Sequence, residues 1–122
     1  MDERLSNKLN HVRDAARQAL LFIEGMTKFE FLADARTRDA CCMNLIIIGE
    51  ATKRIGEVWP DFVKQHADFG WHRMAGMRNR IAHGYEDINF EIVWDTLIGE
   101  LPDLICQVDG LLTAPDKFTS RR

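Results

Sequence analysis

The sequence predicts an all-α bundle of four to five helices, and three observations carry that expectation. Apolar residues recur at three- and four-residue steps along most of the chain. Capping residues stand where those periodic stretches begin. Glycine and proline punctuate the stretches rather than filling them, and no run alternates as a half-buried strand would.

The first helix is expected over about Leu5 to Gly25, with Leu5, Leu9, Val12, Ala16, Ala19, Leu20 and Ile23 on one face. Thr27-Lys28-Phe29-Glu30 has the form of a capping box, so a short helical turn through Phe31 and Leu32 should follow. Asp34 or Thr37 then caps a second long helix that runs to about Arg54 or Ile55. Its centre, Leu45-Ile46-Ile47-Ile48, is apolar all round and predicts the most buried helix. The β-branched run alone would also suit a strand, but the flanking Ala, Glu, Lys and Arg residues favour helix.

Gly56 and Trp59-Pro60-Asp61 interrupt the pattern, and one helical turn is expected over Phe62 to His66. Gly70 precedes a helix over about Trp71 to Ala82, with Gly84 placed to end it in a left-handed conformation. Asn89 caps a further helix whose stripe is Phe90, Val93, Trp94, Leu97, Ile98 and Leu101. Pro102 must kink or restart that helix, and Leu104, Ile105, Val108, Leu111 and Leu112 continue the apolar face. The organisation expected is one domain over residues 1–112 and a polar, frayed tail over 113–122.

Bulk properties narrow the function. With 122 residues, 46% of them hydrophobic and 29% charged, the chain can bury a core without disulfides or structural metal. A formal charge of -3 argues against coating nucleic acid by bulk electrostatics, while leaving room for a local basic site. Cys41, Cys42 and Cys106 form neither a disulfide framework nor a zinc spacing, and read as buried, reduced thiols. The N-terminal residues lack the apolar core of a secretory leader, and no apolar run approaches the length of a membrane span. A cytoplasmic protein without membrane association and without a cofactor is the expectation.

The chemistry concentrates in Met77-Arg78-Asn79-Arg80-Ile81-Ala82-His83-Gly84-Tyr85. Arg78 is permanently cationic and suited to phosphate oxygens. His83 exchanges protons near neutral pH. Tyr85 supplies a hydroxyl, and Asn79, four residues before His83, shares a helical face with it and can orient the imidazole. Arg78 and His83 are five apart, so they converge only if the helix ends or distorts near His83, or if two copies of the chain bring their segments together. Such a pair could cut RNA without metal, because the ribose 2′-hydroxyl is an internal nucleophile. One histidine does not easily serve as both base and acid, which motivates a site at a two-fold interface. From pattern alone, an arginine and a histidine at a helix end are more often a cap and a surface feature.

Resemblance to a known family changes that weighting. Arg78-Asn79-Arg80-Ile81-Ala82-His83-Gly84-Tyr85 is similar to the R-x4-H-x-Y signature of HepT-type HEPN proteins. Asn44-Leu45-Ile46-Ile47-Ile48-Gly49-Glu50-Ala51 resembles the family's segment in the preceding long helix, and Glu91-Ile92-Val93-Trp94 and Leu101-Pro102-Asp103-Leu104 resemble its last helices. The likeness spans residues 5 to 112. It implies a HEPN-type bundle that dimerises, with the active site at the dimer interface. It implies a metal-independent endoribonuclease, the toxin of a HepT/MNT toxin–antitoxin pair, with Arg78 and His83 as catalytic residues and Asn79 in support. The partner implied is an MNT-type nucleotidyltransferase antitoxin, which transfers AMP to the signature tyrosine, here Tyr85. An anionic adenylate beside Arg78 would compete with RNA phosphate. The alternative is a non-catalytic helical binding partner of such a nucleotidyltransferase, with Arg78 and Tyr85 binding rather than cutting.

Other residues carry weaker signals. Arg73 and Arg80, with Lys53 and Arg54, would make a basic rim that guides RNA, or ordinary solvated charge. Trp59, Trp71 and Trp94 could stack bases but lie where packing explains them, as do Met74 and Met77. His66 and His72 flank Asp68 without a metal-ligand motif, and His11 reads as surface. Gly49-Glu50 lies mid-helix and is not a phosphate loop.

Overall fold

The computed structural model describes residues 1–113, with the side chains of Ala82, His83 and Tyr85 outside the description. The expected frayed tail therefore lies outside it too, apart from Thr113, which ends a helix. The described residues form seven α-helices and no strand: α1 (Glu3–Phe22), α2 (Lys28–Leu32), α3 (Ala35–Val58), α4 (Pro60–Gln65), α5 (Trp71–His83), α6 (Phe90–Gly99) and α7 (Leu101–Thr113). Five of these have ten or more residues, which is the all-α bundle the periodicity predicts.

Local chemistry explains the boundaries. Asp2 caps α1 by accepting a hydrogen bond from the Arg4 N–H at 2.7 Å. Thr27 and Glu30 form the reciprocal capping box at the start of α2. Asp34, rather than Thr37, caps α3, accepting from both the backbone and the hydroxyl of Thr37. Those hydrogen bonds hold its carboxyl below the ordinary aspartate range. Asn89 accepts from the Glu91 and Ile92 N–H groups at the start of α6. Pro102 restarts rather than kinks the chain: it is the second residue of α7, where a missing N–H is tolerated.

Sequence expectations need correction at several points. The second long helix does not stop at Arg54 or Ile55 but continues through Gly56 to Val58. A single glycine costs an α-helix only about 1 kcal/mol, which the packing of a 24-residue helix outweighs. The stretch Leu45 to Ile48 is not buried all round: Leu45 and Ile48 are in the core, whereas Ile47 is 40% exposed. Gly84 ends α5 at φ -132°, not in the left-handed region; the left-handed glycines are Gly25 and Gly70.

Helix α3 is the axis of the bundle, packed against α1 on one side and α5 on another, while α7 returns along α1. The predicted face of α1 is buried as expected, with Leu9, Val12, Ala16 and Ala19 fully inside. Cys41 of α3 lies against the Ala19 carbonyl of α1, 3.8 Å away. Asp109 of α7 receives Arg13 at 3.1 Å and Arg17 at 3.0 Å, tying α7 to α1 from the solvent side. Cys41 and Cys42 are buried, and burial lifts their thiols to about 12 and about 11. Cys106 corrects the expectation of three buried thiols: it is exposed, on the solvent side of α7. No helix among the described residues is long and apolar enough to cross a membrane.

Candidate active site on the fifth helix

The site rests on how α5 is held. Gly70 takes φ 84° and turns the chain into the helix, a conformation that suits glycine. Trp71 then anchors the first turn, stacked on Phe69 at 4.2 Å with its indole N–H donating to the His66 carbonyl at 2.8 Å. Met74, Met77 and Ile81 follow at helical spacing, all buried. Trp71 and both methionines are packing residues, as is half-buried Trp94, which lies against Phe31 at 5.3 Å. His66 packs on Phe62, and His72 is exposed.

Arg78 follows Met74 by one turn and lies along the seam between α5 and α3. The seam is unusually close at one point. A methyl group built on Gly49 would lie 2.1 Å from the Arg78 Cβ and 2.9 Å from the Met74 carbonyl oxygen. Only glycine allows this approach, and it lets the Arg78 stem lie across α3. The neighbouring Glu50 then takes the guanidinium: Nε and Nη2 of Arg78 both engage its Oε1. On the other side Nη1 of Arg78 donates to the Asn79 side-chain oxygen at 2.9 Å. The pair is half in water, so its contribution to stability is small and its effect is orientation. A guanidinium fixed by three contacts loses less freedom when it meets a phosphate oxygen.

Gly49 and Glu50 are the residues that the sequence reading missed. Their sequence signals are a glycine in the middle of a strong helix, a position it weakens unless something approaches closely, and their place in the Asn44–Ala51 segment that resembles the family's long helix. Asn79 accepts a hydrogen bond from Arg78, while its expected role toward His83 concerns a side chain outside the described residues. The backbone of α5 stays helical through His83 and ends at Gly84, and Tyr85 opens a short 3-10 turn, Tyr85–Asp87. Arg78, Asn79, His83 and Tyr85 therefore share the last turns of one helix and the turn that follows.

The other basic candidates do not gather into one rim. Arg80 lines a groove of about 390 Å³ between the end of α5, the Tyr85–Asp87 turn and α6, together with Asn79, Gly84 and Asp87. Arg73 pairs with Glu100 at 3.2 Å, at the junction of α6 and α7. Lys53 and Arg54 lie on α3, in a separate groove facing α1.

Sequence comparison adds what geometry alone does not. A family model described as Ribonuclease HepT-like matches residues 12–110. The chain belongs to the HepT-like ribonuclease family. It is an endoribonuclease of the HEPN type. Among its relatives, a Methanocaldococcus jannaschii protein assigned as an RNase is 36% identical over 91 residues, covering 75% of this chain and 73% of the relative. One from Caldanaerobacter subterraneus, also assigned as an RNase, is 31% identical over 104 residues, covering 85% and 90%. One from Thermococcus cleftensis, assigned as ribonuclease HepT, is 35% identical over 99 residues, covering 78% and 86%. No solved structure matches the chain.

Proposed function

We propose that this HepT-like ribonuclease is the toxin of a toxin–antitoxin pair and cuts RNA without metal through Arg78 and His83. The observation that carries the reading is the clamping of Arg78 by Glu50 and Asn79 at the helix end that bears His83. In the reaction, His83 takes the proton of a ribose 2′-hydroxyl. The freed oxygen attacks the adjacent phosphorus, closing a 2′,3′-cyclic phosphate and breaking the bond to the 5′-oxygen of the next nucleotide. Arg78 stabilises the charge that builds on the non-bridging oxygens. A second imidazole protonates the departing 5′-oxygen.

That second imidazole comes from another copy of the chain. Because α5 is helical through His83, positions 78 and 83 stand about 140° apart around its axis. This supports a homodimer with the active site at its interface, where Arg78 of one copy and His83 of the other can face the same phosphate. Asn79 is a positioning residue for Arg78. The partner is an MNT-type nucleotidyltransferase antitoxin, which transfers AMP from ATP to the Tyr85 hydroxyl with release of pyrophosphate. The added phosphodiester places negative charge close to Arg78 and excludes RNA.

The test is cleavage of labelled RNA in EDTA by protein shown by mass spectrometry to lack adenylate. Wild type should cut and leave cyclic phosphate ends, whereas His83→Ala and Arg78→Ala should not at matched folding. Equal cutting by His83→Ala would overturn the catalytic assignment. Titrating wild type with His83→Ala, with subunits shown to exchange, should lower activity more steeply than the loss of wild-type chains, because each shared site needs an imidazole from both copies. Activity that falls only in proportion to the wild-type fraction would place a complete site in one copy.

A further inference from the structure

Between α1 and α3 runs a groove of about 450 Å³ whose walls carry Lys8 and His11 on one side and Lys53 and Arg54 on the other. Ile46, half-buried, and Ile47, 40% exposed, give it an apolar floor. Two carboxylates also line it, and both are engaged: Glu57 by Arg54 at 3.9 Å, and Glu50 by Arg78. Lys8 and Lys53 have no described partner, in a chain whose formal charge is -3. Lys8, Lys53 and Arg54, with His11 beside them, outnumber the two engaged carboxylates, so the groove is locally basic and attracts an anion.

Glu50 links this groove to the proposed catalytic arginine. It is both a wall residue of the groove and the acceptor for the Arg78 guanidinium. An anionic chain lying between the lysines would therefore run toward Arg78 along the surface of α3. The mixed lining suits single-stranded RNA in particular: cations for the phosphates and aliphatic side chains for the faces of sugar and base.

We propose that the α1–α3 groove binds the RNA backbone beside the cleaved bond, with Lys8 and Lys53 as its phosphate contacts. The proposal deepens the ribonuclease reading above by assigning its substrate track, and it places that track away from Arg73 and Arg80.

The experiment uses the full chain and a single-stranded 2′-O-methyl oligonucleotide, which cannot be cut because the nucleophile is blocked. Binding is followed by fluorescence anisotropy between low and moderate salt. Each phosphate contact contributes about 0.7 to the slope of log affinity against log salt on a single strand. Lys8→Gln with Lys53→Gln should flatten that slope by about 1.4 and weaken binding evenly across sequences. Lys28→Gln with Lys64→Gln removes the same net charge outside the groove and should leave the slope unchanged. Equal slopes for the two double variants, or no binding by wild type, would overturn the proposal. So would loss of self-association in the Lys8/Lys53 variant, measured by sedimentation, because the groove would then be covered by a second copy. A wild type that binds with the expected slopes yet fails to cut RNA would leave the groove standing and sink the catalytic assignment instead.

Discussion

The two glycines of α3, Gly49 and Gly56, are seven residues apart on one helix and have opposite surroundings. At Gly49 a methyl group would collide with Arg78 and with the backbone of Met74. At Gly56 it would meet nothing within 4 Å. The first glycine is required by what crosses it, and the second is only tolerated. The same contrast separates the two sides of α3. Against α1 the seam is an ordinary apolar one, made of fully buried residues such as Leu9 and Val12. Against α5 it is drawn in at one point so that a charged side chain can lie across it. Both seams bury apolar residues, but only the second also holds a charged side chain, whose position depends on the exact geometry there.

Substitutions in the two seams should break that comparison if it is wrong. Leu9→Ala should give the largest loss of stability, about 2–5 kcal/mol, because a fully buried leucine leaves a cavity. Urea unfolding reads that loss, while the cleavage rate of the remaining folded protein should stay near wild type. Gly49→Ala should cost less stability, about 1–3 kcal/mol, because α5 must move to admit the methyl group. Its effect on cleavage should be out of proportion, roughly 100-fold, since a displacement of about 1 Å at a catalytic group has that consequence. A Gly49→Ala variant with wild-type cleavage would show that the close approach does not position Arg78.

Gly56→Ala should act in the opposite direction, raising stability by about 0.5–1 kcal/mol, because alanine loses less backbone freedom in a helix and nothing opposes its methyl group. A destabilised Gly56→Ala, seen as a lower urea midpoint, would remove the contrast between the two positions.

The thiols sharpen it further. Cys41 and Cys42 have folded-state values raised to about 12 and about 11 by burial, with Asp39 adding to the effect at Cys42. A thiol value raised on folding contributes stability that is complete below about pH 9 and is lost as pH rises through the folded values. Stability should therefore decline between about pH 9 and pH 12. At neutral pH a thiol reagent should label exposed Cys106 in the native state, and the other two only after unfolding.

Much of this molecule was legible from the chain alone. Helix content, the buried face of α1, the capping box at Thr27, the cap at Asn89 and the restart at Pro102 are consequences of neighbours within a few residues, where local hydrogen bonding and helical spacing decide the outcome. The signature from Arg78 to Tyr85 was equally visible, because its residue types are uncommon together and its spacing is short. What the sequence could not decide is anything that depends on a second helix. Whether Gly56 ends α3, whether Ile47 is covered, and which residue holds Arg78 all turn on the distance between elements far apart in the chain. The role of Glu50 is set by a partner 28 residues away, across a seam whose closeness comes from the absence of a side chain at Gly49. Periodicity says which face of a helix is apolar; only packing says how near its neighbour can come, because that distance is fixed by the volumes of both surfaces together.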